Sequence, residues 1–196
     1  MTLYDLKPRF QALLRPTVGQ LAARGITANQ VTVVATAGSI LVGFAVASLS
    51  ENRHLFLIIP VWMLLRMALN AVDGMLAREF GQRSRLGAYL NELGDVVSDA
   101  ALYAPFALLP AFGPTWVGLV VVLSLVAEYA GVLGSPRRYD GPMGKSDRAL
   151  VFGALGAWAG LRLPTPGWFG WLMPLLALLL AATTVNRVRA GLRAPA

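Results

Sequence analysis

Residues 54–72 read HLFLIIPVWMLLRMALNAV and continue directly into Asp73 and Gly74. This run has the length that an α-helix needs to cross a bilayer, about 20 residues with a rise of 1.5 Å each. A charge inside such a run is costly in lipid, so Arg66 and Asp73 should face the interior of a helix bundle. The stretch therefore predicts a membrane helix with one polar stripe.

The composition of the whole chain agrees with a membrane protein. Of the 196 residues, 56% are apolar and 14% are charged, whereas soluble domains are about 25% charged. The sequence contains no Cys and a single His, His54, which excludes thiolate zinc sites, iron–sulfur clusters and histidine-rich metal sites. A metal would therefore need oxygen ligands, which favours Mg²⁺ or a similar hard cation such as Mn²⁺.

Further apolar runs of spanning length follow along the chain. Together with the first they predict an all-α integral membrane protein with six transmembrane helices near residues 31–50, 54–72, 88–109, 115–134, 149–163 and 168–186. The fifth run is short because Pro164 and Pro166 end it. Its helix should therefore begin before Arg148 or cross the bilayer with little tilt.

Lys and Arg residues alternate between the connections of these six helices. Fourteen lie in one set of connections and the termini, and only Arg53 and Arg162 lie in the other set. This bias places both termini in the cytoplasm. It also favours a membrane protein over a nucleic-acid-binding one, because the positive charges cluster between apolar runs rather than along one face.

The first 28 residues are predicted to form an interfacial amphipathic helix, with residues 29–188 as the transmembrane domain and 189–196 as a basic tail. Apolar and basic side chains alternate at helical spacing in this leader: Leu3, Leu6, Phe10, Leu13 and Leu14 with Lys7, Arg9 and Arg15 between them. Such a pattern is typical of a helix lying on a membrane surface. It lacks the apolar segment and cleavage site of a signal peptide. The alternative is an ordinary cytoplasmic leader.

Two predicted helices carry polar stripes that can meet. Arg66, Asn70 and Asp73 share one face of the second helix. Asn91, Asp95 and Asp99 recur every four residues in the third. The connection between the two helices is short, so we expect an adjacent antiparallel pair whose carboxylates form one metal pocket. Small residues at Gly74, Ala77, Gly87 and Gly94 would permit close backbone approach.

The spacing of these residues resembles the signature of the CDP-alcohol phosphotransferases, D-x2-D-G-x2-A-R-x8-G-x3-D-x3-D. The matching positions are Asn70, Asp73, Gly74, Ala77, Arg78, Gly87, Asn91 and Asp95. All spacings are kept, and two aspartates are replaced by asparagine. The segment from Ile26 to Thr32 and the pair Gly144–Lys145 are also similar to the family.

The resemblance implies transfer of a substituted phosphate from a CDP-linked donor to an alcohol with release of CMP. It implies Asp95 as the base, and Asp73, Asn70, Asn91 and Asp95 at positions of metal ligands. Nucleotide contacts are expected from Asn29, Thr32, Gly74, Ala77, Arg78 and Gly87. It also implies a homodimer. The expected location is the bacterial cytoplasmic membrane, with the site facing the cytoplasm.

Residues outside the signature leave alternatives open. Asp99 can supply an additional metal ligand, or it can pair with Arg66. Lys145 and Arg148 can bind phosphate on the acceptor, or they can simply carry the positive charge of a cytoplasmic loop. Glu128 can pair with Arg66 or line the pocket.

The leading functional prediction is a phosphatidyltransferase that uses CDP-diacylglycerol and a small polar alcohol. A second reading reverses the partners, with a CDP-linked polar alcohol and a lipid hydroxyl. A third is a family member that has lost catalysis and binds nucleotide or lipid. A transporter ranks last, because the polar residues gather at one end rather than along a path through the bilayer.

Overall fold

The computed structural model describes residues 3–193, and the surroundings of side chains from residue 10 onward. The described residues form seven α-helices and no strand, which confirms the all-helical fold. The helices are α1 (Leu3–Ala23), α2 (Ala28–Ser48), α3 (Ile58–Glu79), α4 (Arg85–Tyr103), α5 (Pro114–Leu133), α6 (Lys145–Gly160) and α7 (Leu172–Leu192). Short 3₁₀ turns at Arg53–Leu57, Ala104–Leu108 and Gly167–Trp171 precede α3, follow α4 and precede α7.

Local sequence explains where the helices of the site begin. Thr27 caps α2 by accepting from the Gln30 amide, while the Gln30 side chain returns to the Thr27 amide. Ser84 caps α4 in a similar way. At α6 the Asp147 carboxylate accepts from the Gly144 amide at 2.8 Å. The α6 helix begins at Lys145, before Arg148, which is one of the two alternatives for the short fifth run.

Four helical segments are long and apolar enough to cross a membrane. They are Ala28–Ser48, Arg53–Glu79, Pro114–Leu133 and Gly167–Leu192. The other two predicted spans are not among them: α4 is less apolar because it carries three carboxylates, and α6 is shorter, with 16 residues. Six spans and two cytoplasmic termini thus remain a prediction.

Helix α1 packs along the C-terminal half of α3. Val18 is fully buried against Val72, Met75 and Leu76, and the Arg15 guanidinium donates to both Glu79 carboxylate oxygens at 3.1 Å. Leu13 on another face is 74% exposed, as an interfacial helix would require. The side chains of Leu3 and Leu6, and tail residues 194–196, lie outside the described residues.

Helix α2 lies against both α3 and α4, and small residues allow the approach to α4. A Cβ at Gly43 would lie 2.1 Å from the Ala101 carbonyl oxygen, and one at Gly94 would lie 2.5 Å from Thr36 Oγ1. Within the described chain α3 and α4 make few close backbone contacts, so their predicted polar stripes meet through side chains, such as Arg66 with Asp99. The glycines of α4 face α2.

At the end of the bundle away from Asp73, aromatic side chains form the core. Phe56, Phe106 and Phe152 are fully buried, and Tyr103 stacks on Phe152 with ring centroids 3.9 Å apart. Edge-to-face contacts join Phe106 to both Phe56 and Phe152. This apolar half holds the helices together, and the polar stripes of α3 and α4 meet in the other half.

Candidate functional site

Asp73 is buried in the last turns of α3, with 6% of its surface exposed. The Thr32 hydroxyl on α2 donates to Asp73 Oδ2 at 2.8 Å. Asp95 and Lys145 lie close enough to Asp73 to interact with it electrostatically. The structure thus brings together Asp73 and Asp95, as the two stripes predicted.

Asp95 is held by groups from two other helices. Asn70 Nδ2 donates to Asp95 Oδ1 at 3.2 Å, and Arg66 Nη2 donates to the same oxygen and to the Asp95 carbonyl at 3.1 Å. Lys145 Nζ, at the start of α6, lies 2.5 Å from Asp95 Oδ2. Both carboxylate oxygens of Asp95 therefore have cationic partners, and α3, α4 and α6 are joined at this residue.

Asp99 lies one turn deeper in α4 and pairs with two arginines. Arg66 Nη1 donates to its Oδ1 at 2.6 Å, and Arg148 Nη2 donates to its Oδ2 at 3.0 Å. The side chain is 6% exposed. Because both oxygens are occupied, the geometry supports the ion-pair alternative for Asp99 rather than the expected role as a metal ligand.

A buried set of charges, here called the interhelical charge network, continues from this pair. It takes one residue from each helix from α3 to α7: Arg66, Asp99, Glu128, Arg148 and Arg187. Glu128 Oε1 lies 3.0 Å from Arg148 Nη2 and 3.4 Å from Arg187 Nη1. Glu128 therefore pairs with these arginines rather than with Arg66.

The structure does not favour the predicted phosphate-binding role of Arg148. Its side chain is 2% exposed, and it contacts two carboxylates inside the bundle. Lys145 is 34% exposed and stays available at the surface of the site. The role of Arg187 was not predicted; the available signal was an arginine directly after the last apolar run, where a buried charge needs a carboxylate partner in a neighbouring span.

Arg137 closes the outer edge of this region. It contacts Glu92 and lies 3.2 Å from Glu128, and its guanidinium lies over the Tyr139 ring. Glu92 is thereby engaged in an ion pair. The loop between α5 and α6 is fixed to α4 and α5 through this arginine.

The residues expected at the nucleotide divide into three groups. The Arg78 guanidinium lies directly over Gly74, 3.1 Å from where a Cβ would be, and Asn29 Oδ1 lies 2.7 Å from the corresponding point at Gly87. Ala77 packs in the cluster between α1 and α3. Thr32 is buried and supports Asp73. Arg78 thus contacts Gly74, the residue after Asp73, and Asn29 contacts Gly87 in the first turn of α4, whereas Ala77 packs against α1.

The oxygen atoms around Asp73 fit a divalent cation. Thr32 donates to Oδ2 of Asp73 and the Asn70 side-chain nitrogen donates to Asp95, so Oδ1 of Asp73 and the side-chain oxygen of Asn70 are the atoms that can coordinate a cation. Asn91, another position where the resemblance implies a ligand, is half-buried in α4 one turn before Asp95. Hard cations prefer such ligands. No group of three or more acidic, His or Cys side chains with metal-site geometry occurs among the described residues.

Comparison with known proteins identifies a matching family model and similar sequences. The family model described as CDP-alcohol phosphatidyltransferase matches residues 25–183. The inner membrane protein YnbA of Escherichia coli is 46% identical over 98% of this chain and 97% of its own length. The phosphatidylinositol phosphate synthase of Streptomyces avermitilis is 28% identical over 91% of this chain and 80% of its own.

Solved structures show the same fold. The Mycobacterium tuberculosis phosphatidylinositol phosphate synthase with CDP-DAG bound has a TM-score of 0.74 and 23% identity, covering 92% of this chain and 94% of that one. The same synthase in complex with manganese and citrate has a TM-score of 0.73 at 22% identity, covering 92% and 89%. The apolar helices and the inner-membrane relative indicate a bacterial inner-membrane protein. The family model matches most of the chain, including Asp73 and Asp95. This match shows that the chain belongs to the CDP-alcohol phosphatidyltransferase family.

Proposed function

We propose that this enzyme transfers the phosphatidyl group of CDP-diacylglycerol to a small polar alcohol and releases CMP. The observation that carries the proposal is that Asn70, one turn before Asp73, donates to Asp95, which also pairs with Lys145, while Arg78 lies over Gly74. A donor with two linked phosphates would find cations and metal-ligating oxygens together there.

In the proposed reaction an acceptor hydroxyl oxygen attacks the phosphorus of the phosphatidyl group. The new bond joins that oxygen to phosphorus, the bond to the CMP oxygen breaks, and Asp95 takes the proton of the hydroxyl. A carboxylate that contacts two cations is a weak base, so Asp95 must lose one of them first. Lys145 is the mobile one, because it is partly exposed, whereas Arg66 is fixed by Asp99.

Lys145 thus has two roles in the proposal. Before the donor binds, its ammonium neutralises Asp95. When the donor binds, the ammonium moves to a phosphate oxygen, which frees Asp95 for the hydroxyl proton and adds positive charge where the leaving group develops negative charge. Arg66 keeps the Asp95 side chain oriented during this exchange.

A divalent cation, Mg²⁺ or Mn²⁺, would be held by Asp73, Asn70 and Asn91 in this proposal. It would stabilise negative charge on the donor phosphates. Two asparagines in place of carboxylates reduce the negative charge of the ligand set, so metal affinity should be low until the donor phosphates complete it. The further proposals of six spans and a site facing the cytoplasm come from the sequence pattern, and that of a homodimer comes from the family resemblance.

A turnover assay tests the proposal. The purified protein would receive radiolabelled CDP-diacylglycerol with glycerol 3-phosphate, inositol phosphate or serine in turn, and CMP release and labelled phospholipid would be measured. One acceptor should yield both products in equal amounts. Product formed instead from a CDP-linked polar alcohol and diacylglycerol would establish the reversed reading, and nucleotide binding without turnover would establish the non-catalytic one.

A separate experiment tests the cation ligands without using activity. Asn91→Asp adds a carboxylate at the expected position, so Mn²⁺ affinity measured by calorimetry or electron paramagnetic resonance should rise about tenfold or more. Asn186→Asp, near the end of α7, adds the same charge away from the site and serves as the control. Equal affinities in the two variants would show that Asn91 does not contact the cation.

A further inference from the structure

A cavity lies at the opposite end of the bundle from Asp73. It has a volume of about 330 Å³, at the lower end of the range of ligand pockets. Its floor is apolar: Leu109, Phe112 and Phe169 are each at most 4% exposed. Its rim contains Arg53, Arg162 and Thr165. Among the residues that the structure describes, no Asp or Glu lines it.

The two arginines of this rim are unusual in the chain. They are the only Lys or Arg residues in the connections at this end of the helices, whereas fourteen lie in the connections at the other end or in the termini. Neither forms an ion pair with another residue of the described part of the chain. Two like charges beside a low-dielectric cavity repel each other, so an anion between them would be favourable.

The backbone at Arg162 gives an independent argument. Its φ is +55°, and its amide donates to the Ala159 carbonyl while the Leu163 amide donates to that of Trp158. This is the Schellman motif that ends a helix, and its left-handed position is usually Gly. A left-handed conformation is strained for arginine. This strain indicates that the Arg162 guanidinium has a functional role at this position.

Hydrogen bonds hold the two sides of the rim in place. His54, next to Arg53, contacts the Gly160 carbonyl through Nδ1 at 2.9 Å. Trp158 Nε1 donates to the Pro164 carbonyl at 3.1 Å. The turn carrying Arg53 is therefore fixed to the end of α6, directly beside Arg162, and the cavity is formed before any ligand enters.

We propose that this cavity binds the phosphodiester headgroup of an anionic phospholipid, separately from the transfer reaction. Guanidinium groups bind phosphate oxygens through charge-assisted, often bidentate, hydrogen bonds. The apolar floor takes the first carbons of the lipid, which a free phosphate lacks. A zwitterionic lipid would use the floor but would bring its own cation to the two arginines.

Native mass spectrometry of the purified full-length protein in detergent tests this. The probes are phosphatidylglycerol, phosphatidylcholine with the same acyl chains, and inorganic phosphate. We expect one phosphatidylglycerol to be retained with an affinity about tenfold or more above that of phosphatidylcholine, the worth of one charge-assisted contact. Equal retention of the two lipids would overturn the proposal. So would inorganic phosphate displacing phosphatidylglycerol at equal concentration, because the site would then be one for free anions.

Variants locate the effect. Arg53→Gln with Arg162→Gly should remove the preference for phosphatidylglycerol, while Arg83→Gln with Arg189→Gln, exposed at the other end, should keep it. Arg162→Gly alone removes the strained φ, so its melting temperature without lipid should be equal to or above that of the parent while the preference falls. A preference that survives in the first double variant would place the lipid elsewhere and overturn the proposal.

Discussion

The two ends of the bundle are held together by different physics. Around Phe106 the helices are joined by fully buried aromatic rings, whose stabilisation comes from packing and does not depend on charge. Around Asp99 the same helices are joined by the interhelical charge network. In that half each side chain is stabilised only while its partner is present.

This difference matters for the site. Packed rings allow many substitutions of similar volume, whereas charges in a bundle interior must be matched in sign and position. The charge network ends at Asp95 through Arg66, so the part of the molecule that is most sensitive to substitution also orients the proposed base. The following predictions would break or sharpen this contrast.

The largest effect is expected at Asp95. Asp95→Asn keeps the size of the side chain but removes the proton acceptor, so CMP release should fall by about 10²–10⁴-fold. Asp140→Asn, exposed in the loop between α5 and α6, is the control and should retain full activity. An unchanged rate in Asp95→Asn would remove this residue as the base.

The next effect concerns stability in the charged half. Asp99→Asn leaves Arg66 and Arg148 with one carboxylate partner fewer, which should lower the free energy of unfolding by about 3 kcal/mol. The double variant Asp99→Leu with Arg148→Met removes both charges and should recover most of that loss. Denaturant unfolding in detergent measures both, and a double variant less stable than Asp99→Asn would contradict the idea of matched charges.

The aromatic half supplies the comparison for that experiment. Phe106→Ala should also cost about 3 kcal/mol, from lost packing and the cavity left behind. Here a second substitution, Phe56→Ala, should not recover stability, because no unmatched charge is relieved. Activity should persist in the Phe106 variant at temperatures where it stays folded.

A smaller effect is expected where α2 meets α4. Gly43→Ala places a Cβ 2.1 Å from the Ala101 carbonyl oxygen, so the helices must separate, at a cost of about 1–3 kcal/mol. Gly118→Ala on α5, where nothing lies within 4 Å of the new Cβ, is the matched control and should be neutral or slightly stabilising. Similar melting temperatures in the two variants would mean that the α2–α4 contact is adaptable.

The smallest effect is expected for the substitution Gly74→Ala. A Cβ there would lie 3.1 Å from the Arg78 guanidinium nitrogens, and the end of this flexible side chain can shift by a few tenths of an ångström. We expect KM for the CDP-linked donor to rise about threefold with kcat unchanged, as for loss of part of a binding contact. A lower kcat with unchanged KM would show that Arg78 acts in the transition state instead.

Helical periodicity accounts for the parts of the site that were predicted correctly. Spacings of three and four residues place Arg66, Asn70 and Asp73 on one face. An antiparallel arrangement of the two helices then brings Arg66 to Asp99. Periodicity could not show that α2 lies against both α3 and α4. A glycine such as Gly94 permits a close helix contact but does not indicate which helix makes it. The fate of Arg148 was missed for a related reason: its carboxylate partners come from α4 and α5, and pairings across several helices do not appear in local spacing.

The sharing of the charge network among five helices bears on how the protein is made. In the predicted six-span topology, no helix from α3 to α7 enters the bilayer with its own counter-charge for the network residue it carries, so each would be unfavourable in lipid until its neighbours arrive. Stable integration should therefore coincide with association of the helices, and Glu128 obtains its contact with Arg187 only after the last one has emerged from the ribosome. A chain that stops before α7 would present an incompletely paired carboxylate, a feature by which membrane proteases could distinguish unfinished molecules from complete ones.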